Sequence, residues 1–150
     1  MKNKILLWTL VLMMSFSTGF AGTITGINEK ITESFKKDFA TAEDVQWEKS
    51  SSFIKATFKL SGQIMFAYYS EEGSLMAVSR NITATQLPIG LLNEVKKNYR
   101  EFWISDLFEI AMNNETAYYI TLQNGDYTLV MKSNGGSSWD VFKKERKEVL

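Results

Sequence analysis

The second half of this chain repeats the order of its first. An amphipathic helix pattern followed by four strand patterns occurs twice in 150 residues, and Lys36-Lys37-Asp38-Phe39 returns as Lys96-Lys97-Asn98-Tyr99. Ile27, Ile31, Phe35 and Phe39 recur at helical spacing with charges between them, which predicts a helix over about 26–39. Pro88 opens the second helix, whose apolar face is Leu91, Leu92, Val95 and Tyr99. Alternating stretches predict strands near 44–48, 53–60, 63–69 and 75–82, and again near 104–112, 115–122, 126–132 and 138–143. Ser61-Gly62, Glu71-Glu72-Gly73, Asn113-Asn114, Asn124-Gly125 and Asn134-Gly135-Gly136 supply the turns.

The two halves match with small changes of offset. The Lys-Lys pairs lie 60 apart, Val45 and Trp47 match Phe108 and Ile110 at 63, and Ala56, Phe58 and Leu60 match Tyr118, Ile120 and Leu122 at 62. Ile64 and Phe66 match Tyr127 and Leu129 at 63. Each half has one helix stripe and one apolar sheet face, and both must be buried. The expected fold is therefore α+β: a tandem repeat, about 27–83 and 88–145, with two helices on one face of an eight-stranded antiparallel sheet. The expected core is Ile27, Ile31, Phe35, Val45, Trp47, Phe58, Phe66, Leu92, Val95, Phe108, Ile120 and Leu129, with Ile64 and Tyr68 also turned inward.

The first 21 residues read as a secretory signal. Lys2 and Lys4 precede the apolar run Ile5–Met14, and Gly19 and Ala21 suit cleavage after Ala21. The apolar run is shorter than the roughly 20 residues a membrane span needs, so no stable membrane anchor is expected after cleavage. Residues 22–150 then form a single domain, periplasmic or secreted.

Without Lys2 and Lys4, 15 basic residues face 17 acidic ones, a balance that gives no basic surplus for nucleic acid. The chain has no cysteine and no histidine. That removes disulfides, an imidazole base and the usual ligands of transition metals, so no metal or cofactor is expected. The pairs Glu43-Asp44 and Glu71-Glu72 sit at turns and read as solvated charge rather than a cation site.

The order of these motifs resembles a known family. A helix, the strand Val45-Gln46-Trp47, a hairpin leading to Glu72-Gly73, Leu87-Pro88 opening a second helix, and Lys96 and Tyr99 at its end are similar to the PepSY-like, beta-lactamase-inhibitor-like exported proteins of Bacteroidetes. The resemblance spans about residues 27–145. It implies the tandem α/β fold of beta-lactamase inhibitory protein and no particular activity. The chain departs from that inhibitor in lacking cysteines and in having no acid at the Ser61-Gly62 hairpin.

The alternation leaves Phe53, Lys55, Thr57, Met65, Ala67, Tyr69, Ala117, Tyr119, Thr121, Thr128 and Val130 on the outward sheet face. Aromatic residues with Met and Lys neighbours are typical of contact surfaces, though they are also ordinary strand formers. The expected function is an exported, non-enzymatic binding module that grips an unknown protein or peptide. Its binding residues would be Phe53, Lys55, Met65, Tyr69 and Tyr119. The alternatives are a carrier of a small apolar ligand or a hydrolase using carboxylates alone, for which two facing acids would be required.

Overall fold

The computed structural model describes residues 26–134 and 136–148. The proposed signal, residues 1–21, lies outside them, as does Gly135 of the last turn.

Helix α1 (Glu29–Asp38) leads into strands β1 (Glu43–Lys49), β2 (Ile54–Leu60), β3 (Gln63–Tyr69) and β4 (Leu75–Asn81). A short 3-10 turn, Ala84–Gln86, precedes helix α2 (Ile89–Asn98). Strands β5 (Trp103–Met112), β6 (Glu115–Gln123), β7 (Tyr127–Asn134) and β8 (Ser138–Arg146) complete the order. The eight strands form one antiparallel sheet in sequence order.

Cross-strand partners point to the same side of a sheet, so the register assigns every side chain to a face. Ala56, Ala67, Val78 and Ala111 are successive partners on one face, and Leu107 and Ile120 continue it. Both helices rest there. Ile31 and Phe35 of α1 pack on Ile54, Ala56, Phe58, Ala67 and Tyr69. Leu91 and Val95 of α2 pack on Leu107, Ile120, Leu122, Leu129, Met131 and Trp139. Two ten-residue helices with one apolar stripe each have little stability alone, and this burial is what holds them. Between the helices the same face carries the ion pair of Arg80 with Glu109 at 2.7 Å, and Arg80 also donates to Gln63 Oε1.

Several local features recur in both halves. The Phe39 amide bonds to the Phe35 carbonyl and the Ala42 amide to that of Phe39; Tyr99 to Val95 and Phe102 to Tyr99 do the same after α2. The register of β1 is interrupted between Glu43 and Gln46, and that of β5 between Ile104 and Asp106. Each helix start is crowded by the hairpin of its own half. A Cβ on Gly73 would lie 3.2 Å from the Lys30 carbonyl oxygen, and one on Gly90 would lie 3.3 Å from Ser137 Cα.

The sheet faces differ from the sequence reading in three strands. Ile64, Phe66 and Tyr68 do not face the helices; they lie on the opposite side, where Ile64 is 54% exposed, while Met65, Ala67 and Tyr69 pack beneath α1. The cause is the two-residue turn at Ser61 and Gly62, both with positive φ, which pairs Leu60 with Gln63 and so puts the odd-numbered residues of β3 on the helix side. Phe108 and Ile110 are buried, but on the helix-free side, so pairing them with Val45 and Trp47 joins opposite faces. Val45 is not core either. The bulge beside Asp44, whose φ is +52°, turns it outward to 36% exposure. Pro88 caps α2 rather than entering it.

Candidate functional site: the helix-free sheet face

The face opposite the helices is built from alternate residues of β2 to β8. Lys55 pairs with Tyr68 and Tyr68 with Ala77; Phe66 pairs with Ser79, Ser79 with Ile110, and Ile110 with Ala117. Phe108 pairs with Tyr119, Tyr119 with Lys132, and Lys132 with Asp140. Among the described residues no helix packs on this side, yet its centre is apolar and largely buried. Phe53, Tyr68, Ala77, Phe108, Ile110 and Tyr119 form a cluster, with Phe66, Met76, Met112 and Ala117 partly buried against it. Large side chains on a twisted sheet lean across neighbouring strands and cover one another.

The aromatic contacts show how. The Phe108 ring lies flat on Tyr119, with centroids 5.1 Å apart and planes at 9°. Phe142 of β8 meets Tyr119 edge-on at 6.0 Å. Phe53 meets Tyr68 edge-on at 5.4 Å. Two lysines lie over these rings: Lys55 above Phe66 at 5.7 Å and Lys132 above Tyr119 at 5.9 Å. Lys55 also holds an ion pair with Glu48 at 2.5 Å.

Of the five residues expected to bind, this face brings together Phe53, Lys55 and Tyr119. Met65 and Tyr69 are not on it. Tyr69 is fully buried under α1, where its hydroxyl donates to Asp38 Oδ2 at 3.1 Å. Alternation in β3 is apolar in both phases, so periodicity could not tell Met65 and Tyr69 from Phe66 and Tyr68. Phe66, Tyr68, Phe108, Lys132 and Phe142 share this face but are not among the five expected residues.

The hydroxyls on this face are sealed. Burial pushes Tyr68 up to about 12, partly opposed by the nearby Ser79 hydroxyl. Burial alone pushes Tyr119 up to about 12, and its hydroxyl has no hydrogen-bond partner. Asp106, beside Thr121 at the same face, is also raised by burial, with its bond from the Leu107 amide opposing. Among the described residues no three acids converge to hold a metal ion.

Three solved structures from Bacteroides resemble this arrangement. One, from Bacteroides eggerthii, is described as periplasmic; it matches 81% of this chain and 90% of its own at 10% identity, TM-score 0.70. A BLIP-like protein from Bacteroides fragilis matches 82% and 88% at 15% identity, TM-score 0.70. A DUF2874 family protein from Bacteroides ovatus matches 82% and 89% at 13% identity, TM-score 0.71. This chain shares their fold. No family model matches the sequence, and no curated protein does. Among the described residues no helix is long and apolar enough to cross a membrane.

Proposed function

We propose that this chain is an exported, non-enzymatic binding module, periplasmic or secreted, that holds a protein or peptide segment against the helix-free sheet face. One observation carries the reading: an aromatic and aliphatic surface spans β2 to β8 on the side the two helices leave open, with Phe66 and Phe142 half-buried and Ile64 exposed on it. Apolar patches of this kind on a soluble domain mark contact sites, and aromatic anchors at their centre carry most of the affinity. Phe53, Lys55 and Tyr119 remain binding residues in this reading, joined by Ile64 and Phe66. The signal-like start, the periplasmic description of one neighbour and the BLIP-like description of another are consistent with it.

We also read the fold as a duplicated α-β4 unit of PepSY-like type. The cap bonds of the two helices recur 60 residues apart, the β1 and β5 register breaks both end eight residues after their helices, at Gln46 and Asp106, and each helix start meets its own hairpin.

The test is capture from periplasmic extract by immobilised protein, compared with Ile64→Ala/Phe66→Ala and with Lys36→Ala/Lys96→Ala on the helix surfaces. A specific partner should be lost by the first double variant and kept by the second. Equal capture by all three proteins, with folding intact by circular dichroism, refutes the face assignment.

A further inference from the structure

Tyr119 is 1% exposed and its hydroxyl makes no hydrogen bond. Leaving a buried hydroxyl unpaired is costly, and proteins rarely tolerate it without a reason. The ring is held in place on three sides: Phe108 beneath it, the Phe142 edge beside it, and the Lys132 ammonium above it. Phe142 lies on the edge strand β8, is half-buried and meets the Tyr119 ring edge-on, which makes it the contact an incoming ligand would have to shift.

The charges nearby choose the kind of acceptor. Lys132 forms no ion pair among the described residues, while Asp140, its strand partner, and Asp106 lie on the same face; Lys143 is paired with Glu145 at 2.7 Å. One free cation among two carboxylates does not favour an incoming anion. A cationic group could only donate to the tyrosine hydroxyl and would have to give up its water among apolar side chains, a large cost. A neutral carbonyl oxygen suits both the hydroxyl and the surrounding apolar side chains.

We propose that Tyr119 is the polar anchor of the helix-free face: an uncharged, apolar peptide segment displaces the Phe142 ring, and one of its carbonyl oxygens accepts the Tyr119 hydroxyl. This rests on the face assignment above and adds the chemistry of its occupant. The unpaired hydroxyl makes the free protein less stable than it could be and gives the bound state a hydrogen bond in a dry setting.

The experiment uses a random peptide library panned on the purified protein, with affinities of the selected peptides measured on variants. Selected sequences should be apolar and uncharged. Tyr119→Phe should weaken them by about tenfold, while raising the melting temperature of the free protein, because it removes the unpaired hydroxyl and keeps the ring. A melting temperature that falls in Tyr119→Phe shows that the hydroxyl already has a partner and overturns the proposal. So does undiminished binding, or selection of acidic peptides. If the peptides are lost in Phe66→Ala but not in Tyr119→Phe, the face stands and only the anchor fails. If no peptide is selected, or sedimentation shows that a second copy of the chain covers the face, both readings fail.

Discussion

Tyr69 donates its hydroxyl to the Asp38 carboxylate at 3.1 Å, tying the end of β3 to the last residue of α1. The ring itself packs beside both Phe35 and Trp47, with centroids 6.4 Å from each. It is therefore part of the packing that holds α1 on the sheet. Tyr69→Ala should destabilise the fold by about 3–5 kcal/mol through the lost ring. Tyr69→Phe should cost about 1 kcal/mol for the bond alone. Urea denaturation of both variants checks this. A Tyr69→Ala protein as stable as the wild type would mean the ring is not in the core.

Trp139 plays the corresponding part in the other half by a different device. Its indole N–H donates to the Leu91 carbonyl at 3.0 Å, and its main-chain amide donates to Glu94 Oε2 at 3.1 Å. Both acceptors belong to α2, so one residue of β8 fixes the helix by a buried and a peripheral bond. Trp139→Phe should cost about 1–3 kcal/mol, combining the lost bond with the smaller ring. Glu94→Ala should cost less, about 0.5–1.5 kcal/mol, because the amide it leaves is near water. The order of these two, read from thermal unfolding, is the test.

Much of this arrangement was legible in the sequence, and the part that was not has a specific cause. Helices, strands and turns followed from periodicity and from Pro88, Gly62 and Gly73, because each of these enforces local geometry. The side of β3 did not follow from hydrophobicity, since Ile64, Phe66 and Tyr68 are as apolar as Met65, Ala67 and Tyr69. The signal was present in the turn. A two-residue loop at Ser61-Gly62 pairs Leu60 with Gln63, and partners share a face, which puts Met65 opposite Phe58 and Tyr69 opposite Ile54 on the helix side. The β1 bulge carried no such signal: Asp44 adopts positive φ in a stretch whose alternation reads as an unbroken strand. Phe53, Lys55 and Tyr119 lie on the side of the sheet that the alternation expects, because β2, which Phe53 immediately precedes, and β6 each have one clearly apolar phase under the helices.

Gly73 and Gly62 separate two reasons for a glycine. Both have positive φ, +88° and +80°. A Cβ at Gly62 would meet nothing within 4 Å, whereas one at Gly73 would press on the Lys30 carbonyl in the first turn of α1. Gly62→Ala should cost only the backbone strain, about 1 kcal/mol. Gly73→Ala should cost about 2–3 kcal/mol, because the backbone of α1 must also give way. Equal losses for the two variants would show that α1 does not rest on the β3–β4 turn as described.

The raised tyrosines make stability fall at alkaline pH. Burial lifts Tyr119 to about 12, against about 10 for an unfolded chain. The folded state thus keeps a proton that the unfolded state gives up first. Its contribution to stability is whole below pH 10 and is lost as the pH rises from about 10 through 12, amounting to roughly 2 kcal/mol for this one group. Tyr68, lifted to about 12 chiefly by burial, adds a second contribution in the same window. The exposed lysine pairs, such as Lys59 with Asp44, also weaken there, so the wild-type curve alone does not isolate a tyrosine. Tyr119→Phe does, because it changes no lysine. Melting temperatures of the two proteins should run parallel from pH 7 to 9 and diverge above 10, with the wild type falling faster. Curves that stay parallel to pH 12 would mean the Tyr119 hydroxyl is open to water, which would remove the physical basis for treating it as a sealed donor on the helix-free face.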